Sequence, residues 1–285
     1  MKPISLPRES QAKPVPEASA TLPPDRAAAR PSRRLVRCAP EIVDELPEPC
    51  LVRIDVNGCL AGTVLALPDA PRELAAGWSF MHGFYELTDH LDRVTLHGNR
   101  ISVMVESGQD IDVRRLEAVG WAPPRPLPDH PVGEHFRIDE PALTKLIEAT
   151  WDASRRDGAA DGYVHAAVAS AESVHCIARD LTSGLAAAKV LGWTILDASE
   201  RDVSVLLIRG VVERRLIEAA ARIGISVVVT SGVPAADAFR AATRLALTIV
   251  GMAMSRTPAL LVDGGHIDEL PPAEDPEEVQ AGKQT

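Results

Sequence analysis

Asp161-Gly162-Tyr163-Val164-His165-Ala166-Ala167 opens the stretch that decides the fold. An apolar run from Val164 to Ala169 is followed by a polar break, Ser170-Ala171-Glu172-Ser173, and a second run from Val174 to Ala178. Arg179-Asp180 and an Ala/Leu-rich segment, Thr182 to Leu196, complete it. Two short buried runs and one of helical length predict a β-hairpin feeding a helix. That arrangement places His165 and His175 inside strands, Asp180 at the strand-to-helix corner and Lys189 about two turns into the helix. A core has no need of polar groups at those points.

Downstream the alternation is regular. Val203 to Ile208 reads as a buried strand, Val211 to Ile223 as a helix closed by Gly224, and Ile225 to Val229 as a strand. Pro234 to Leu245 reads as a helix, Leu247 to Val250 as a strand, and Ala259 to Val262 as a last run. Upstream, Asp139 stands where an N-cap belongs. Pro141 falls in the first turn that follows, and Leu143, Leu146, Ile147 and Thr150/Trp151 share one face. Alternating β and α units predict a sheet between helix layers, with ligands bound outside the carboxyl ends of the strands. Those ends are Arg209-Gly210, Thr230-Ser231-Gly232 and Gly251-Met252.

Nearer the amino terminus, Leu51 to Val56 and Cys59 to Leu67 flank Asn57-Gly58, the strongest hairpin signal in the chain. Arg72 to Phe84 has helical spacing, and Arg93 to Leu96 with Ile101 to Val105 predicts another hairpin. A short helix is expected at 113–119. Five prolines in residues 122–131 then preclude a helix or a central strand. The expected organisation is an arm over 1–47, an α+β lobe over 48–121 and a Pro-rich connection over 122–136. A core over 137–263 and an acidic tail over 264–285 complete it. The arm carries seven prolines before residue 34 and more basic than acidic residues; it reads as a solvated tail or a partner-docking arm.

With 285 residues, 46% apolar and 25% charged, the chain is of ordinary globular composition. A formal charge of −10 argues against nucleic acid as a partner, and no apolar run is long enough to span a membrane. Arg33-Arg34 lacks the apolar segment of a twin-arginine signal, so the expected location is cytoplasmic. Cys38, Cys50, Cys59 and Cys176 are scattered without C-x-x-C spacing, which suits a reducing compartment better than disulfides or zinc. A zinc deaminase would need H-x-E and P-C-x-x-C, whereas His165 is followed by Ala166-Ala167. A serine hydrolase would need G-x-S-x-G, which is absent.

The order His165-Ala166-Ala167, Asp180, then Ala186-x-x-Lys189-Val190-Leu191-Gly192 resembles the central signature of the FdhD family, accessory proteins of formate dehydrogenase. Asn57-Gly58, Pro68, Glu73-Leu74-Ala75, Gly77, Pro234, Thr248 and Gly251 extend the resemblance over about residues 48–262, with His82-Gly83 where the family has Glu-Gly. Departures recur. Ser183-Gly184-Leu185 replaces Arg-His-Asn, and Ile208-Arg209-Gly210 replaces Ser-Gly-Arg. No cysteine lies between Cys59 and Cys176, where the family carries the Cys-Gly-x-Cys-Gly pair that passes sulfur.

The resemblance implies a three-layer α/β/α cytidine-deaminase-like core with a smaller N-terminal α+β lobe. It further implies an FdsC-type maturation chaperone that binds bis-molybdopterin guanine dinucleotide for insertion into the formate dehydrogenase catalytic subunit. The expected contact residues are His165, Asp180, Lys189, Arg209, Gly210, Ser231, Gly232 and Thr248. Asp180 is equally readable as a charge at a helix start, and Lys189 as a solvated helix residue. Enzymatic activity is left open, leaning to none. A sulfurtransferase using another thiol such as Cys176, served by a cysteine desulfurase, and a ligand-free scaffold are the alternatives. A homodimer is the self-assembly that analogy offers.

Overall fold

The computed structural model describes residues 47–106, 135–156, 162–197, 202–255 and 257–268. The helix expected at 113–119, nearly all of the arm and the Pro-rich connection, and the tail beyond 268 lie outside the described residues.

Two larger sheets organise the molecule. β1 (Cys50–Val56), β2 (Cys59–Ala66), β3 (Leu91–His97) and β4 (Arg100–Val105) form the lobe sheet in the order β2-β1-β4-β3. Both hairpins stand where Asn57-Gly58 and Gly98-Asn99 place them. Between them runs α1 (Pro71–Met81), with Pro71 in its first turn. Inward-facing Val52, Ile54, Val94, Ile101 and Val103 pack in one core with Leu74, Trp78 and Phe80 of that helix.

The core sheet has six strands: β6 (Val164–Ala169), β7 (Val174–Asp180), β8 (Val205–Ile208), β9 (Val227–Thr230), β10 (Thr248–Gly251) and β11 (Ala259–Val262). Their order is β11-β10-β9-β8-β6-β7. β8, β9 and β10 are parallel, while β6 runs antiparallel to both neighbours. Strands β8, β9 and β10 are buried along their whole length, so their sequences are continuous apolar runs rather than alternations.

Helix layers cover both faces of this sheet. On one side lie α3 (Ser183–Asp197), α4 (Arg214–Arg222) and α5 (Ala236–Arg244), packed with Ala166, Val168, Leu206, Ile208 and Val228. On the other lies α2 (Glu140–Arg156), whose Leu143, Leu146, Ile147 and Trp151 meet Ala167, Ala169, Leu207 and Val229. Each Val, Leu or Ile among them contributes roughly 1.5–3 kcal/mol by leaving water, and each Ala less. Asp139 caps α2 as its position predicts, accepting a hydrogen bond from the Ala142 amide at 2.6 Å.

α3 is apolar on nearly every side because α1 covers the side turned away from the sheet. The two helices meet through glycine. A Cβ on Gly77 would stand 1.8 Å from the Ala188 carbonyl oxygen, and one on Gly192 would stand 1.8 Å from that of Glu73. No other residue permits this approach.

Several boundaries differ from the sequence reading; α1 ends at Met81 rather than Phe84, and β8 and β9 each start two residues later than expected. α4 begins at Arg214 and α5 at Ala236, each later than the apolar pattern starts, because the preceding residues form the strand-to-helix turns. The expected tail boundary at 264 falls inside the fold. β12 (Ile267–Asp268) pairs in parallel with β5 (Ile138–Asp139), and His266 is buried. Two-residue strands leave too short a pattern to be read from sequence.

Candidate functional site

The hairpin β6–β7 fixes a row of side chains by register alone. His165 pairs with Arg179 across the hairpin. On the other side β6 pairs with β8 as Ala166↔Ile208, so the next step sets Arg209 against His165, whose carbonyl accepts the Arg209 amide at 2.8 Å. Opposed residues share a face, and the face is the one carrying Ala167, Ala169 and Leu207 toward α2. Ile208 pairs with Thr230 on β9, so Ser231 extends the same row. The row Arg179–His165–Arg209–Ser231 thus crosses four strands at the edge where β7, β8 and β9 end.

His165 is 2% exposed. Arg209 is half-buried, and its guanidinium has no hydrogen bond or ion pair among the described residues. The Arg179 guanidinium carbon lies 5.9 Å from the centroid of the Tyr163 ring, and the Tyr163 hydroxyl donates to Pro47 O at 3.2 Å. Gly210 follows Arg209 with φ 139°, and a Cβ there would meet the Ser183 Cβ at 3.1 Å. This turn is therefore reserved for glycine. Both following helices start without a side-chain cap, at Glu213 for α4 and Ala235 for α5. The uncapped start of α4, following a guanidinium with no partner among the described residues, suits an anion, whereas at α5 Asp237 Oδ1 already accepts the Ala238 amide at 2.8 Å.

The remaining expected contacts are arranged differently. Asp180 and Lys189 lie on the opposite face of the sheet, toward α3 and the lobe, and they meet each other. Lys189 Nζ is 2.8 Å from Asp180 Oδ2 and 2.8 Å from Asp69 Oδ1. It also donates to the carbonyls of Arg179 at 3.0 Å and Leu67 at 3.4 Å. Asp180 Oδ1 accepts the amides of Leu181 at 2.7 Å and Leu67 at 3.3 Å. Lys189 is thus not the solvated helix residue that its position also admits. Because Leu67 and Asp69 belong to the turn between β2 and α1, this buried pair ties lobe to core.

Ser231 and Gly232 join the row, but their amides are already used, by Ile208 O at 3.1 Å and Thr230 Oγ1 at 3.3 Å. Thr248 stands at the far, amino end of β10. Its Oγ1 accepts the Gly264 amide at 3.0 Å and lies 3.0 Å from His266 Nδ1. His175 is likewise away from the row, with Nε2 3.3 Å from Asp202 O.

Arg179 is the residue of the row that the sequence reading passed over. Counting outward from the turn at 170–173 would set Ala178 opposite His165; a bulge between Val168 and Ala169 shifts the register by one and brings Arg179 there instead.

Two of the described thiols, Cys176 and Cys59, are poorly placed for the row, and Cys38 lies outside the described residues. Cys176 is packed against the core, and burial, with Glu73 and Asp197 adding to it, pushes its pKa up to about 11. Cys59 is exposed but begins β2, whose far end leads to Leu67 and Asp69; seven strand steps make that roughly 20 Å.

A family model described as the FdhD/NarQ family matches residues 48–266. The sulfur carrier protein FdhD of Methanothermobacter thermautotrophicus is 24% identical over 212 residues, covering 70% of this chain and 82% of that protein. A crystal structure described as a formate dehydrogenase accessory protein from Desulfotalea psychrophila has the same fold, with a TM-score of 0.62 at 18% identity. That likeness covers 77% of this chain and 89% of that one. Because the family model spans the lobe, the tie at Asp180 and Lys189 and the whole core sheet, this chain belongs to the FdhD/NarQ family.

Proposed function

We propose that this protein is a maturation chaperone of a molybdenum-dependent formate dehydrogenase. It holds bis-molybdopterin guanine dinucleotide as cargo at the edge where β7, β8 and β9 end and passes it to the catalytic subunit without a thiol relay. The observation that carries this reading is the cross-strand row of Arg179, His165 and Arg209, followed by a glycine turn and the uncapped start of α4. Two guanidiniums flanking an imidazole match the diphosphates of such a cargo, because a guanidinium can donate two parallel hydrogen bonds to one phosphate. His165 and Gly210 complete the contact set. Asp180 and Lys189 act from behind it, by holding the lobe against the core.

A sulfur-transferring alternative needs an accessible thiolate at this edge. Cys176 is pushed toward its neutral thiol, Cys59 lies at the opposite end of β2, and the segment between Cys59 and Cys176 contains no cysteine. Cys50 opens β1 opposite Ala66, three residues from the Pro47 carbonyl that takes the Tyr163 hydroxyl, and its half-burial is what limits it as a carrier. A chain that had kept the pocket and lost the transfer step would look this way.

The test is purification from a host that makes the molybdenum cofactor, with analysis of the pterin carried along. The parent retains pterin, whereas Arg209→Ala weakens retention by about 1.5–3 kcal/mol, the value of a hydrogen bond to a charged group. His165→Ala reduces it as well. Substituting all four cysteines by serine leaves maturation of formate dehydrogenase unchanged. Collapse of maturation in that folded variant would restore the thiol reading. Absence of pterin from the parent would leave a ligand-free scaffold.

A further inference from the structure

The lobe sheet has a second face, turned away from α1, and its side chains are not those of an idle surface. Leu51 and Leu65 are a cross-strand pair, 61% and 51% exposed, and Leu60, 45% exposed, stands opposite Asp55. The adjoining row is Thr63–Arg53–Arg100–His97 across all four strands. Asp55 follows Arg53 by two residues and so shares its face, yet its carboxylate is fully covered. The covering groups are the two guanidiniums. Arg53 Nε donates to Asp55 Oδ1 at 2.9 Å, and Arg100 Nε donates to Oδ2. Burial alone would raise the Asp55 pKa, but these hydrogen bonds and charges overcome it and hold the group below its ordinary value.

Each guanidinium uses Nε on Asp55, and neither makes a hydrogen bond through Nη among the described residues. Two cations therefore share one anion, and their free forks are held in place by a buried carboxylate. An exposed ion pair by itself contributes little stability, and it gives no reason for three exposed leucines beside it. A preset arginine pair with exposed leucines on either side, Leu51 and Leu65 on one and Leu60 on the other, fits a surface presenting carboxylates next to apolar side chains. Nucleic acid would leave the leucines without a partner, and the formal charge of −10 opposes it.

We infer that the outer face of the lobe sheet, centred on Arg53, Asp55 and Arg100 and flanked by Leu51, Leu60 and Leu65, is a docking surface for an acidic, partly apolar protein surface. If the proposed function holds, the partner that bears such a surface is the formate dehydrogenase catalytic subunit. The face then grips the client while the edge of the core sheet holds the cargo.

The experiment measures binding of the full chain to that purified catalytic subunit by biolayer interferometry, with pterin content measured in parallel. Two double variants are compared with the parent, Leu51→Ser with Leu65→Ser, and Arg53→Gln with Arg100→Gln. A triple variant adding Asp55→Asn removes the carboxylate that the second would leave uncovered. Each is expected to lose at least about tenfold in affinity, equivalent to about 1.4 kcal/mol. Parent binding weakens with added salt, and pterin content is unchanged in every variant. Equal binding by parent and variants overturns the inference, as does a parent that does not bind. So does a shift of the variants' effect onto dimerisation, onto anionic lipid vesicles, or onto a chain lacking residues 269–285, which would identify another occupant. A parent that binds the subunit but carries no pterin would instead count against the cargo reading alone.

Discussion

Lys189 Nζ lies 2.8 Å from Asp180 Oδ2, with neither side chain exposed, and the pair is closed over by Leu67 and Asp69 from the lobe. The ionic contact most central to the matched family motif therefore holds two parts of the fold together. Removing one partner strands a buried charge. Lys189→Met should cost about 3–5 kcal/mol in urea unfolding. Asp69→Asn, at the half-exposed end of the network, should cost under about 1 kcal/mol. Similar losses for the two would mean that Asp180 is not the essential partner.

The α1–α3 crossing should tolerate no added methyl group. Gly192→Ala and Gly77→Ala each place a Cβ against a backbone carbonyl that cannot swing aside. Overpacking of this kind costs about 1–3 kcal/mol or more. Thermal unfolding checks it, and an unchanged midpoint for both would disprove so close an approach.

His82 provides a pH signature. Its ring stacks on Trp78 at 4.0 Å between centroids, and burial, with Arg215 adding to it, lowers its pKa from 6.5 to about 4 despite the bond to Trp78 O. The folded state thus binds the proton less readily than the unfolded chain. The associated stability is present above pH 6.5, falls as pH drops toward 4, and is flat below. Its size is at most about 2–3 kcal/mol, since the ring is only partly covered. His82→Phe should keep the stack and remove this part of the slope in denaturation curves across that window.

Cys176 should behave as a sluggish nucleophile. With a pKa near 11, its alkylation by iodoacetamide should climb about tenfold per pH unit from about pH 8 to about pH 10. The measurement uses a variant whose other three cysteines are serine. A plateau below about pH 9 would show an accessible thiolate and would reopen sulfur transfer.

The sequence by itself determined the longer elements and their order. Apolar runs read at 203–208, 225–229 and 247–250, within two residues of the strands that form, alternate with amphipathic helices, and Asn57-Gly58 and Asp139 set a turn and a cap that local chemistry specifies. It also determined which residues were unusual, since His165, Asp180 and Lys189 stand where periodicity calls for apolar side chains. Partnership among them was decided only by tertiary structure. The pleat sends Asp180 and Arg179 to opposite faces, so one ties the lobe to the core and the other joins His165 and Arg209. Thr248 matches the family pattern as well as Arg209 does its neighbourhood, yet strand direction puts it at the wrong end of the sheet. Strand order brings Arg209 to His165 although 43 residues lie between them in the chain. Local patterns carry the period of an element; only the pairing of strands fixes which faces and which ends meet.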